Sequence, residues 1–224
     1  AAVDALANVY SDRADYAGAT QRVAAALARL RLREVRLAAV ADDETLMSVA
    51  LDVARAGVES LALPHGAFAL EAAAPPGAAA AALAAPRLLR LDLSGCGSLS
   101  DNGLSLLVGS APRLSHLVVS CNARLRTPVL RSPRLVSASF NICSNLEDAA
   151  VTALVASAAT SLRALSLWRC AALREPVLRA PALVELNLAQ CVELTDAAVA
   201  AAADGCPRLR SLQLAGCARL ARPA

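Results

Sequence analysis

Seven cysteines and two histidines are the side chains of this sequence best suited to metal binding, redox chemistry or nucleophilic catalysis. A zinc site asks for cysteine and histidine in close pairs such as C-x-x-C. No C-x-x-C occurs here, and neither His65 nor His116 lies at ligand spacing from a cysteine. Instead Cys96, Cys143, Cys170, Cys191 and Cys217 recur at one place in a sequence repeat, and Asn122 takes that place once. Cys121 falls one residue earlier, and Cys206 belongs to a C-P-x-L segment. Such regularity points to reduced, buried thiols lining successive turns, each with a weak S–H bond to nearby backbone. A hydrolytic triad would need a nucleophile and an acid around one histidine. His116 has Asp92 and Ser94 on the same strand face, yet contact or solvation is the role expected of it. Gly95 and Gly97 flank Cys96 without forming a phosphate-binding loop. The expectation is therefore no catalytic residue, no cofactor and no bound metal.

The elements that position these residues come from an internal repeat. From Pro86 the chain reads PRLLRLDLSGCGSL, and later units open PRLSHLVVSCNARL, PRLVSASFNICSNL, SLRALSLWRCAAL, PALVELNLAQCVEL and PRLRSLQLAGCARL. All fit L-x-x-L-x-L-x-x-(N/C)-x-x-L. The second apolar position falls at Leu91, Leu117, Ala138, Leu165, Leu186 and Leu212, and two weaker copies centre on Val35 and Leu61. L-x-L is a short strand with alternate residues buried. One such strand cannot shield its leucines, but eight stacked in parallel bury them in a ladder. The chain then returns on the far side. In long units the return reads as a helix opening on acidic residues, at Asp43–Arg55, Asp101–Gly109, Glu147–Ser157 and Asp196–Asp204. The short units Arg126–Arg131 and Arg174–Arg179 carry P-V-L-R, which leaves room only for an extended or turn-like return.

The cysteine at the turn, followed by L-T-D or L-S-D and a helix ending in C-P-x-L, resembles the cysteine-containing leucine-rich repeats of F-box/LRR proteins. The best match is Leu186–Leu209, LNLAQCVELTDAAVAAAADGCPRL, and the short P-V-L-R units look like plant and algal members. The fold expected is α/β: a leucine-rich-repeat solenoid, a horseshoe arc with a parallel concave sheet. Helices lie on the convex side of long repeats, with extended returns in short ones. Residues 30–224 make about eight repeats, the last incomplete, and residues 1–29, with an amphipathic stretch at Gln21–Leu30, read as an N-terminal helical cap or flank. An uncapped last repeat would expose a strand edge, so the chain is expected to be a fragment or to have that edge covered.

The resemblance implies a non-catalytic protein-interaction scaffold, in its finer form a substrate-recognition module like those of SCF-type ubiquitin ligases. Residues 1–29 carry no F-box pattern. The alternative is an architectural subunit of a large multiprotein assembly. All 22 basic residues are arginine. Residues 1–85 hold seven arginines against ten acids, and residues 86–224 fifteen against nine, so charge is uneven but far short of a dedicated nucleic-acid binder. No apolar run reaches the length of a membrane span, and no secretory signal is visible. The chain is expected to be intracellular and cytoplasmic, to bind other proteins on its concave face or rims, and to take no small-molecule substrate.

Strand alternation nominates the binding surface. Its candidates are Arg90 and Asp92, His116 and Val118, Asn141, Trp168 with Arg169, Glu185 and Asn187, and Gln213. Trp168 is the only tryptophan, and tryptophan and arginine dominate interface hot spots. Arg87, Arg113, Arg134 and Arg208 recur just before the strands and should line one rim, solvated or facing an acidic partner.

Overall fold

The computed structural model describes residues 33–36, 57–63, 85–97 and 99–220. The flank 1–29, the helix expected at Asp43–Arg55, and His65 lie outside the described residues. Eight strands form one sheet in chain order: β1 (Glu34–Arg36), β2 (Ser60–Ala62), β3 (Arg90–Asp92), β4 (His116–Val118), β5 (Ser137–Ser139), β6 (Ala164–Ser166), β7 (Glu185–Asn187) and β8 (Ser211–Gln213). All neighbours are parallel, and the central residues Val35, Leu61, Leu91, Leu117, Ala138, Leu165, Leu186 and Leu212 pair rung on rung. The first seven are at most 4% exposed, whereas Leu212 on the last strand is 37% exposed. Each inward side chain is thus covered by its neighbours in the stack, which is why the unit must repeat. Ala138 is the smallest of these central residues, and Phe140, two residues on and the largest fully buried side chain, aligns with Val119 of the preceding rung. The molecule is a leucine-rich-repeat solenoid.

Chain entry into β3, β4, β5, β7 and β8 uses one turn. Leu88 donates its N–H to Ala85, Leu114 to Ala111, Leu135 to Ser132, Leu183 to Ala180 and Leu209 to Cys206. In all five the second residue is proline, whose fixed φ suits that position of a tight turn.

Among the described residues three helices form the returns of the long units: α1 (Asp101–Gly109), α2 (Asp148–Ser157) and α3 (Asp196–Gly205). The expected helix at Glu147 starts one residue later, with Glu147 at the cap but making no side-chain cap bond. Ser100 and Thr195 do cap, accepting from the N–H groups of Gly103 and Ala198. The first acids have a second use that local pattern does not show. Asp101 accepts from the backbone N–H groups of Arg126 and Thr127, both at 2.9 Å, and Ser105 Oγ accepts from Val129 N–H at 2.9 Å. The next pair repeats this: Asp148 takes Arg174 and Glu175, and Thr152 takes Val177. The helix of a long unit therefore satisfies the backbone of the short unit that follows. Pro128 and Pro176 sit between these bonded amides, at a place in each short return where no donor is needed.

The turn column forms the ladder expected of it. Cys96 Sγ donates to Leu63 O at 3.2 Å, Cys143 to Val119 O at 3.1 Å and Cys170 to Phe140 O at 3.0 Å. Cys191 donates to Leu167 O at 3.2 Å and Cys217 to Leu188 O at 3.1 Å. Asn122 substitutes by donating Nδ2 to Leu93 O at 3.1 Å. Each of these five thiols thus ties one turn to the strand end of the preceding rung. None of the seven cysteines forms a disulfide. Burial pushes the Cys143 and Cys191 thiols up to about 11 and the Cys170 thiol further still, so these groups are protonated and unreactive.

Candidate protein-binding surface

The register lays three rows of side chains across the open face of the sheet, from β3 to β8. The first row is Arg90, His116, Ser137, Ala164, Glu185 and Ser211; the second is Asp92, Val118, Ser139, Ser166, Asn187 and Gln213. The third, two residues beyond, is Ser94, Ser120, Asn141, Trp168, Ala189 and Ala215. Small residues dominate, so a partner can approach the backbone closely.

The candidates separate into groups. Arg90 and His116 are register partners at the strands' beginning. Burial, then the Arg90 charge, hold the His116 imidazolium below its ordinary range, and its Nδ1 lies 2.9 Å from Ser115 Oγ. Glu185 is exposed, three rungs away. Asp92, Val118, Asn187 and Gln213 share the middle row. Asp92 Oδ1 accepts from the Ser94 hydroxyl and N–H at 2.6 and 2.9 Å, and Asn187 Oδ1 from Ala189 N–H at 3.0 Å. Their oxygens stiffen their own strand ends.

Asn141, Trp168 and Arg169 come together. Asn141 Oδ1 accepts from Ser166 Oγ at 2.7 Å and from the Trp168 N–H at 3.0 Å. An asparagine expected to face a partner instead fixes the base of Trp168. Above the ring, the Arg169 guanidinium carbon lies 5.4 Å from the centroid, within cation–π range. Trp168 is half-buried and Arg169 exposed.

A fourth row escaped the strand-alternation reading. The residue before each turn cysteine or Asn122 has positive φ: Gly95, Cys121, Ile142, Arg169, Gln190 and Gly216, at 73°, 62°, 60°, 59°, 63° and 77°. Its N–H reaches the next rung, as from Cys121 to Asn141 O and from Ile142 to Trp168 O, both at 2.7 Å. Four of these six are not glycine, at about 1–2 kcal/mol each for an L-residue in this conformation. Ile142 is β-branched, for which the conformation is an outlier. The cost places side chains along the rim beside Trp168. Glycine at both ends of this column was the available signal of left-handed backbone.

Among the described residues no three His, Cys, Asp or Glu side chains are grouped as metal ligands would be, and no helix is long and apolar enough to cross a membrane.

No protein-family model and no curated protein matches the chain. Among solved structures it is similar to a chain of the yeast complex of Rad7 and Elc1, with 17% identity and a TM-score of 0.59. The match covers 90% of this chain and 68% of that one. At this identity the likeness is one of fold, and it agrees with the solenoid described by register and burial.

Proposed function

We propose that this chain is a non-catalytic scaffold that binds another protein across the open face of its sheet, with Trp168 and Arg169 as the anchor. The observation that carries this reading is the preorganised pair itself: a tryptophan held at its base by Asn141, under its neighbour's guanidinium, beside rows of small residues. A rigid aromatic–arginine pair loses little entropy when a partner covers it. The absence of chemistry is supported by commitments elsewhere. Asp92 is bonded to Ser94, His116 to Ser115, and the ladder thiols to carbonyls. The finer form, substrate recognition of the kind F-box/LRR proteins perform, is supported by the cysteine-lined repeat. An intracellular, cytoplasmic setting is supported by seven cysteines of which none forms a disulfide.

The test is affinity capture from the source organism's extract, followed by titration of the captured protein. Trp168→Ala should weaken binding by roughly 2 kcal/mol, about thirtyfold. An unchanged affinity removes Trp168 from the site, and failure of any protein to co-purify in fixed stoichiometry removes the reading itself.

A further inference from the structure

We propose that the edge where the strands of the third to sixth rungs begin is a second docking surface, which takes a short acidic segment of a protein partner. It is separate from the Trp168 rim, which lies where the strands end.

The entry turns build this edge. In Ala85–Leu88, Ala111–Leu114 and Ser132–Leu135 the same hydrogen bond closes the same A/S-P-R-L sequence. Arg87, Arg113 and Arg134 therefore occupy one position on three consecutive rungs, and all are exposed. Arg90 adds a cation on the first of these rungs, and exposed Arg163 adds one on the rung after the third. The ladder continues through this region: Arg90, His116, Ser137 and Ala164 each donate to the carbonyl of the preceding rung, so the alignment does not stop at the strands. The stem of Arg87 lies across Gly57 of the neighbouring rung, where a side chain would crowd it.

Among the described residues no acid lies within ion-pair distance of these five arginines. The acids of these rungs sit where the strands end, and the structure uses them there. Asp101 and Asp148 hold short returns, Glu147 pairs with Arg126 at 2.9 Å, and Asp92 holds Ser94. The edge where the strands begin is thus cationic, whereas where they end acids and arginines are mixed, with Arg124, Arg126 and Arg169 among them. The local field is felt by His116, whose charged form is disfavoured by Arg90 after burial.

Length distinguishes the occupant. Glu59 precedes the stripe and Glu185 follows it, in the columns of Arg163 and Arg90, before Arg208 and Arg210 on the last rung. Strands about 4.8 Å apart give an edge of about 15 Å from the third to the sixth rung. Four or five residues of extended peptide, at about 3.3 Å each, cover it. A nucleic-acid strand running further would meet Glu59 on one side and Glu185 on the other before any further cation, and among its described residues the edge has no Phe, Tyr or Trp on which bases stack.

The experiment titrates the full chain into a fluorescein-labelled hexaglutamate peptide at low salt and reads anisotropy. Arg113→Glu with Arg134→Glu should lower affinity by about tenfold or more, and Trp168→Ala should leave it unchanged. Because both arginines are exposed, circular dichroism should not change. Should the reversal variant fail to fold, Arg113→Gln with Arg134→Gln tests the same point by a smaller loss. Hexaglutamate that does not bind, or that binds the arginine variants as well as the parent, overturns the proposal. So does an oligothymidylate of equal charge that binds more tightly with the same arginine dependence. Loss of the captured protein with Trp168→Ala while hexaglutamate binding persists separates this edge from the anchor site.

Discussion

Asn122 is the place where the turn ladder changes chemistry, and replacing it measures what the ladder contributes. It is fully buried, and its Nδ2 faces three carbonyls: Leu93 at 3.1 Å, Val119 at 2.9 Å and Ser120 at 3.0 Å. Its Oδ1 is buried and has no hydrogen-bond partner among the described residues. Asn122→Ala removes these contacts; the amide shares two hydrogens among the three carbonyls, so at about 1 kcal/mol net per hydrogen bond the loss is about 2 kcal/mol in all. Two effects reduce that figure. Each carbonyl keeps another donor: Cys96 N–H for Leu93, Cys143 Sγ for Val119 and Gly95 N–H for Ser120. The stranded Oδ1 is also removed, which returns about 1 kcal/mol or more. Part of this is offset by the small cavity left behind. The net loss should be about 1–2 kcal/mol. Asn122→Cys restores the group used in five other turns and one bond to Leu93 O, so it should fall within about 1 kcal/mol of the parent. The assay is urea unfolding followed by circular dichroism, with m unchanged across the three proteins. An Asn122→Ala protein as stable as the parent would refute the ladder's energetic role. An Asn122→Cys protein weaker than Asn122→Ala would refute the equivalence of amide and thiol.

Stability should also fall in alkali. Cys143 and Cys191 keep their protons to about 11 when folded, against 9.0 when exposed, so the folded state binds more protons between those values. Stability is then complete below pH 9 and declines toward pH 11, by roughly 2–3 kcal/mol per thiol. The window is unusually clean, because the chain has no lysine and only two tyrosines. Unfolding curves that do not shift between pH 8.5 and pH 11 would contradict this. In native protein, a thiol reagent should modify exposed Cys121 first and partly buried Cys217 more slowly, with the other five released only on unfolding. Rapid titration of all seven would mean the ladder is open. Gly205→Ala should cost about 1–3 kcal/mol, since a methyl there collides with the Leu178 carbonyl of the preceding rung; a melting temperature equal to the parent's would disprove that contact.

The spine and the rows of the open face were legible because each depends on a local pattern, L-x-L, that the stack merely copies. The thiol column was legible for the same reason. What escaped were contacts between rungs. Asp101 and Asp148 read as ordinary acids at helix starts, yet their partners lie 25 to 27 residues away. Asn141 read as a contact residue because it alternates outward, but its oxygen reaches the next rung's Ser166 and Trp168. Arg169 was recognised as a neighbour of Trp168, whereas its left-handed backbone, which sets its place on the rim, was not. A pattern within one unit cannot report what the following unit will donate.

The matched bonding of helix to following P-V return has a consequence for how such a chain can grow or shrink. Deleting one unit would put a helix after a helix or a return after a return, and would leave amide hydrogens of a P-V segment facing water or apolar groups. Deleting two consecutive units, such as those led by β4 and β5, brings α1 against the return at Arg174–Val177, where Asp101 and Ser105 find the same three amides that Asp148 and Thr152 hold now. Tolerated length changes should therefore come in doublets of about 47 residues, and the inheritable module of this architecture is the couple, not the single repeat.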